Sequence, residues 1–109
     1  MGDKADLLQG TLDLLILRTL QLEPIHGWGI TQRIQQVSND AFRVGQGSLY
    51  PALQRLEQRG WIDSEWRHTA QGQRAKYYSL TRAGRKALGA ETEQWRRYVA
   101  AVELILDNA

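Results

Sequence analysis

The sequence predicts a mostly α domain with one small β-hairpin and a long helix at its C-terminal end. Three observations carry this reading. Before residue 60, apolar residues recur three times at helical spacing. Between residues 61 and 80, two runs of strand-forming residues flank a polar loop. After residue 81, a single segment carries apolar residues seven positions apart.

The first helix is expected over residues 7–22, where Leu7, Leu8, Leu12, Leu15, Ile16 and Leu20 make a wide apolar face. Glu23-Pro24 ends it, because the residue before proline is pushed out of the helical region. His26-Gly27-Trp28-Gly29 reads as a turn, with His26 a turn or helix-cap residue. A second helix follows with Ile30, Ile34 and Val37 on one face. Residues 38–47 form a polar connection in which Phe42 and Val44 are expected to be pinned to the core.

The third helix is expected to start near Ser48, a good N-cap, so that Pro51 falls in the first turn where its missing N–H costs nothing. Leu49, Leu53 and Leu56 would line its inner face, with Gln54, Arg55 and Gln58 outward. Gly60 would take the left-handed position after its end. Trp61 to Arg67 and Ala75 to Leu80 then form a hairpin with a basic tip, and Thr81 caps a last helix running to about Leu106. Helix, helix, helix, hairpin, helix is the winged helix-turn-helix arrangement plus a C-terminal dimerisation helix. Residues 1–81 are expected to form the winged helix-turn-helix domain and residues 82–109 the C-terminal helix, together one compact unit. A ferredoxin-like alternative needs more strands than the chain offers.

The chain has no cysteine, which excludes a disulfide framework, a thiolate zinc site and a cysteine nucleophile. The first ten residues show no signal-peptide pattern, and the apolar stretch from Leu12 to Leu22 is too short and too polar to span a bilayer. A soluble, cytoplasmic protein without membrane contact is expected. The net charge is only +2, but it is unevenly spread. Residues 55–86 hold eight Lys/Arg against three Asp/Glu, whereas the segments on either side are slightly acidic. A polyanion is the natural partner of such a block; the plainer alternative is a solvated basic surface.

A helix fits the major groove with its N-terminal residues at the base edges. Ser48, Tyr50, Gln54 and Arg55 supply suitable chemistry near the start of the third helix. Gln54 can pair with adenine and Arg55 with guanine, while the Ser48 and Tyr50 hydroxyls can bind phosphate and fix the register. Arg74 and Lys76, at the hairpin tip, can reach the flanking backbone or minor groove. Tyr77 and Tyr78 alternate faces, one in the core and Tyr78 the better placed for phosphate. Singly these residues mean little; together, in the chain's one basic block, they point to double-stranded DNA.

In the last helix, Leu88, Trp95 and Val102 recur every seven residues, and Val99 and Leu106 form a second row. The stripe suits packing against another helix, and the three-helix body has little apolar surface left to cover it. A homodimer on a palindromic operator is therefore expected, with two third helices about one DNA turn apart. Trp95 reads first as an interface aromatic. The second reading is a stacking surface for a planar aromatic effector between subunits, although stacking adds only ~0.5–1.5 kcal/mol beyond area burial.

Five collinear segments between residues 7 and about 85 resemble the PadR-like transcriptional regulators. They are Leu12-Asp13-Leu14-Leu15-Ile16-Leu17, His26-Gly27-Trp28-Gly29-Ile30, Gly47-Ser48-Leu49-Tyr50-Pro51-Ala52-Leu53, Leu56-Glu57-Gln58-Arg59-Gly60-Trp61-Ile62 and residues 76–84 from Lys76-Tyr77-Tyr78 to Gly84. The resemblance implies dimeric winged-helix regulators, mostly repressors, that release DNA on meeting a small molecule or another signal. It places the helix with Ser48, Tyr50 and Pro51 in the groove and the residues at Arg74, Lys76 and Tyr78 against the backbone. The single final helix resembles one branch of the family, some of whose members hold a Trp at the position of Trp95 in an effector cavity. Two features depart from the pattern. Gln73-Arg74-Ala75-Lys76 is a diluted version of the basic run at the wing, and Trp28 stands where Tyr is commoner, still able to offer an N–H to a phosphate.

No cofactor is implied. His26 and His68 lack partners at metal-ligand spacing, and no nucleophile elbow, phosphate loop or paired-carboxylate motif appears, so an enzyme is not expected. The serious rival is a winged helix used for protein–protein contact with little DNA affinity.

Overall fold

The computed structural model describes residues 9–108. The elements run α1 (Gln9–Thr19), β1 (Ile25–His26), α2 (Gly27–Val37), α3 (Gln46–Gln58), β2 (Ile62–His68), β3 (Arg74–Leu80) and α4 (Arg82–Asn108). The predicted apolar residues Leu7 and Leu8 lie outside the described residues. The first helix stops at Thr19 rather than Leu22. Its last turn tightens as Gln21 N–H bonds to the Arg18 carbonyl, and Leu20 still reaches the core.

The core sits where the three body helices meet the sheet. Ile16 and Leu17 of α1, Ile30 of α2, Leu49, Leu53 and Leu56 of α3 and Ile62 of β2 are essentially sealed from solvent. Each such side chain stabilises the fold by about 1.5–3 kcal/mol relative to exposure. Two expected core residues are not there. Val37 is exposed at the last turn of α2, and Phe42 is exposed in the connection that follows, while Val44 does pack against the core. Both Val37 and Phe42 line an open pocket at the edge of the body, shared with Leu15, Arg18 and Thr19 of α1, and are not sealed by it.

The expected two-stranded hairpin is one part of a three-stranded antiparallel sheet of order β1-β3-β2. Ile25 pairs with Tyr78 and His26 with Tyr77, so β1 occupies the free edge of β3. The wing itself is in the register Ile62 to Leu80, Ser64 to Tyr78, Trp66 to Lys76 and His68 to Arg74.

The turn out of α3 fixes how the wing and α4 leave the body. Gly60 has φ +78°, the left-handed conformation expected after a helix end. Thr81 joins this turn to α4. Its Oγ1 donates to the Gly60 carbonyl at 2.7 Å and accepts from Gly84 N–H at 3.0 Å, capping the helix as the sequence suggests. Gly84 is buried so closely against the residue before β2 that a Cβ there would overlap the Trp61 carbonyl oxygen. Gly84→Ala is therefore expected to lower the unfolding free energy by about 1–3 kcal/mol or more through overpacking against backbone. Gly10→Ala, in open space on α1, should leave it unchanged or raise it by up to about 1 kcal/mol. Urea unfolding of the two variants checks the pair.

Candidate nucleic-acid interface

α3 begins one turn earlier than its cap chemistry suggests. Gly45, at φ −83° and ψ 163°, is the N-cap, and its carbonyl accepts from the N–H groups of Ser48 and Leu49. Ser48 is thus the third residue of the helix rather than its cap. Pro51 lies inside the helix, where its missing N–H removes one backbone bond. The consequence is chemical: the Ser48 hydroxyl is exposed and holds no cap bond. Burial of Leu49, Ala52, Leu53 and Leu56 turns Ser48, Tyr50, Pro51, Gln54 and Gln58 outward.

Tyr50 stands against the start of α2, where Trp28 lies. A Cβ on Gly27 would lie 2.6 Å from the Tyr50 hydroxyl, so this ring rests on the first residue of α2. Trp28 follows directly and is 61% exposed. His26 caps α2 by accepting Gly29 N–H on Nδ1 at 3.0 Å. Its ring lies edge-on to Tyr77 at 5.3 Å and parallel to Trp28 at 6.3 Å.

On the wing, Lys76 faces Trp66 across the ladder, and the Arg74 guanidinium stacks over the Trp66 ring at 4.7 Å. Trp66 is 56% exposed. Sequence reasoning reads it only as a strand residue. The available signal is its place four residues beyond Ile62, on the same face but past the end of the core. Thr69 to Gln73 closes the tip, with Thr69 N–H bonded to the Gln73 carbonyl at 2.7 Å and Gly72 at φ +87°.

Three expected site residues are placed differently. Tyr78 is only 5% exposed and belongs to the core, since its partners Ser64 and Ile25 put its face against the body. Burial holds its phenol above the ordinary 10.0, with Tyr50 and Glu57 adding to the effect. The half-buried Tyr77 takes the other face, under the Arg67 guanidinium at 5.3 Å. Arg55 does not point outward; its Nη2 is paired with Asp13 Oδ1 of α1 at 2.9 Å. Leu88, expected on the dimer stripe, is 5% exposed because the first turns of α4 close the core of their own chain.

The other interface residues stand on α4 beyond the body. Trp95, Val102 and Leu106 are exposed and Val99 is half-buried. Tyr98 and Ile105, three residues after Trp95 and Val102 in the same heptad, widen the apolar stripe beyond the residues expected from the sequence. Trp95 is stacked on Tyr98 at 6.0 Å. It lines an open groove of about 1140 Å³ between α4 and the Leu14, Leu15 and Arg18 side of α1. Among the described residues, no group of three or more His, Asp or Glu is arranged to hold a metal, and no helix is long and apolar enough to cross a membrane.

A family model described as the transcriptional regulator PadR-like family matches residues 16–90. The chain is 42% identical over 64 residues to the transcriptional regulator Rv3488 of Mycobacterium tuberculosis, covering 59% of this chain and 56% of that protein. It resembles the crystal structure of smu.1704 from Streptococcus mutans UA159 with a TM-score of 0.83 at 28% identity, over 94% of this chain and 92% of the other. A PadR family transcription regulator from Clostridium difficile R20291 matches with a TM-score of 0.75 at 29% identity, over 87% of this chain and 97% of that one.

The buried phenol makes a prediction of its own. A Tyr with a raised folded value contributes stability that is whole below pH 10 and is lost as pH rises through that raised value. In an ultraviolet titration of the four tyrosines, one should ionise after the others. Tyr78→Phe should remove that late component and no other.

Proposed function

The chain belongs to the PadR-like transcriptional regulator family, and from that premise we propose that it is a cytoplasmic homodimeric repressor of a palindromic operator. Members of this family are transcriptional regulators, not enzymes. One observation carries the DNA-binding reading. Tyr50 rests on Gly27 at the start of α2, beside exposed Trp28, and Trp66, Lys76 and Arg74 stand together at the outer end of the wing. Exposed Ser48 and Gln54 share α3 with Tyr50. α3 would read base edges through Gln54, while Ser48, Tyr50 and Trp28 hold phosphates and Pro51 packs against the groove wall. Arg74 and Lys76 would take the flanking backbone.

Dimerisation is supported by the largely exposed stripe of Trp95, Tyr98, Val99, Val102, Ile105 and Leu106 among the described residues. At about 1.5–3 kcal/mol per large side chain, six side chains in each of two copies set an upper bound on the order of 18–36 kcal/mol, lowered because Trp95, Val99 and Val102 are already partly covered. Association costs about 4–15 kcal/mol. A second copy would also wall in the groove beside Trp95. That supports a planar aromatic effector stacking there and shifting the spacing of the two α3 helices.

The test is fluorescence anisotropy of a labelled duplex from the DNA upstream of this gene, beside a scrambled duplex, at two salt concentrations. The upstream duplex is expected to bind far more tightly, and both should weaken with salt. Changing Arg74 and Lys76 together to Ala should flatten the salt slope by about 0.9 for each phosphate that is no longer neutralised. If neither duplex binds at low salt, the reading fails and the winged helix serves protein contact instead.

A further inference from the structure

α3 contains two charged residues, Arg55 and Glu57, and the fold engages both. Glu57 accepts the Ser64 hydroxyl at 2.7 Å at the base of the wing. Arg55 is held by Asp13, which is 6% exposed and is the one buried charged residue among those described. The guanidinium is drawn against α1 far enough that its Nε is itself sealed from solvent without a hydrogen-bond partner. What α3 leaves exposed is uncharged: Ser48, Tyr50, Gln54 and Gln58.

We propose that Asp13 is a specificity-determining residue that acts by withholding Arg55 from DNA. With Arg55 tied back, α3 itself meets the groove through hydrogen-bonding groups alone. The reason this affects specificity is that a phosphate contact strengthens binding to every sequence equally, whereas a base contact does not. A free guanidinium next to Gln54 would reach the nearest phosphate on any duplex. Asp13 therefore lowers sequence-independent affinity without touching the DNA. The inference rests on the DNA-binding reading above.

The test measures operator and scrambled duplexes across a salt series with three proteins: wild type, Asp13→Leu, and Asp13→Leu with Arg55→Met. Asp13→Leu releases Arg55 and should bind the scrambled duplex several-fold more tightly, with a salt slope steeper by about 0.9 per copy and a reduced operator preference. The double variant should return slope and preference to wild type, because replacing a buried ion pair by apolar residues of similar volume is well tolerated. The inference is overturned if Asp13→Leu leaves the slope unchanged. A double variant with a slope shallower than wild type overturns it too, since Arg55 would then already hold a phosphate. Should Asp13→Leu melt below the assay temperature, Asp13→Asn is read by the same criteria. Wild type failing to bind the operator would sink the DNA-binding reading and this inference with it; unchanged slopes in the variants beside normal wild-type binding sink this inference alone.

Discussion

Burial of one face of α3 is the constraint from which the rest of the structure follows. Leu49, Ala52, Leu53 and Leu56 are almost wholly removed from water, so the helix cannot rotate about its axis without exposing them. Three lateral ties then hold it from three directions. Tyr50 rests on Gly27 of α2, Arg55 is paired with Asp13 of α1, and Glu57 takes the hydroxyl of Ser64 in the wing. A helix fixed in this way presents its remaining face at a set angle to the wing, which a surface that recognises a rigid duplex requires. The Thr81 hydroxyl, bonded to Gly60 and capping α4, extends the same frame to the long helix.

What the sequence made legible are features with local causes. The inner faces of the helices follow from apolar spacing, the left-handed Gly60 from the residue type, and the cap at Thr81 from its hydroxyl. The errors arise where a distant partner decides. Ser48 has better cap chemistry than Gly45, yet the extended backbone at Gly45 starts the helix three residues earlier. β1 has only two residues and no period to read; it exists because β3 offers an open edge. Alternation says that Tyr77 and Tyr78 face opposite ways but not which face is covered, and α3 covers the side of Tyr78. Arg55 looks outward on a helical wheel until an acid on α1, 42 residues away, is placed beside it. Asp13, alone among the leucines of α1, was the available clue.

α4 divides into two parts with different tasks. Its first turns belong to the body, where Gly84 and Leu88 are buried. Its later turns carry a heptad stripe that is largely exposed among the described residues. The helix therefore joins the rigid frame around α3 to a surface that suits a second copy, and the groove between α1 and α4 lies at that junction. Asp13 is next to Leu14 and Leu15 of that groove, so α1 touches both the groove and, through Arg55, the helix proposed to read DNA.

The four tryptophans report separately on the parts of this account. Trp28 and Trp66 stand on the proposed DNA surface, Trp61 lies under the Arg59 guanidinium at the end of α3, and Trp95 lines the groove. Their indole N–H signals, followed by nuclear magnetic resonance as operator duplex is added, are the most direct test of where DNA sits. The account predicts that Trp28 and Trp66 shift while Trp61 does not. Tight binding that leaves both Trp28 and Trp66 unmoved would contradict it.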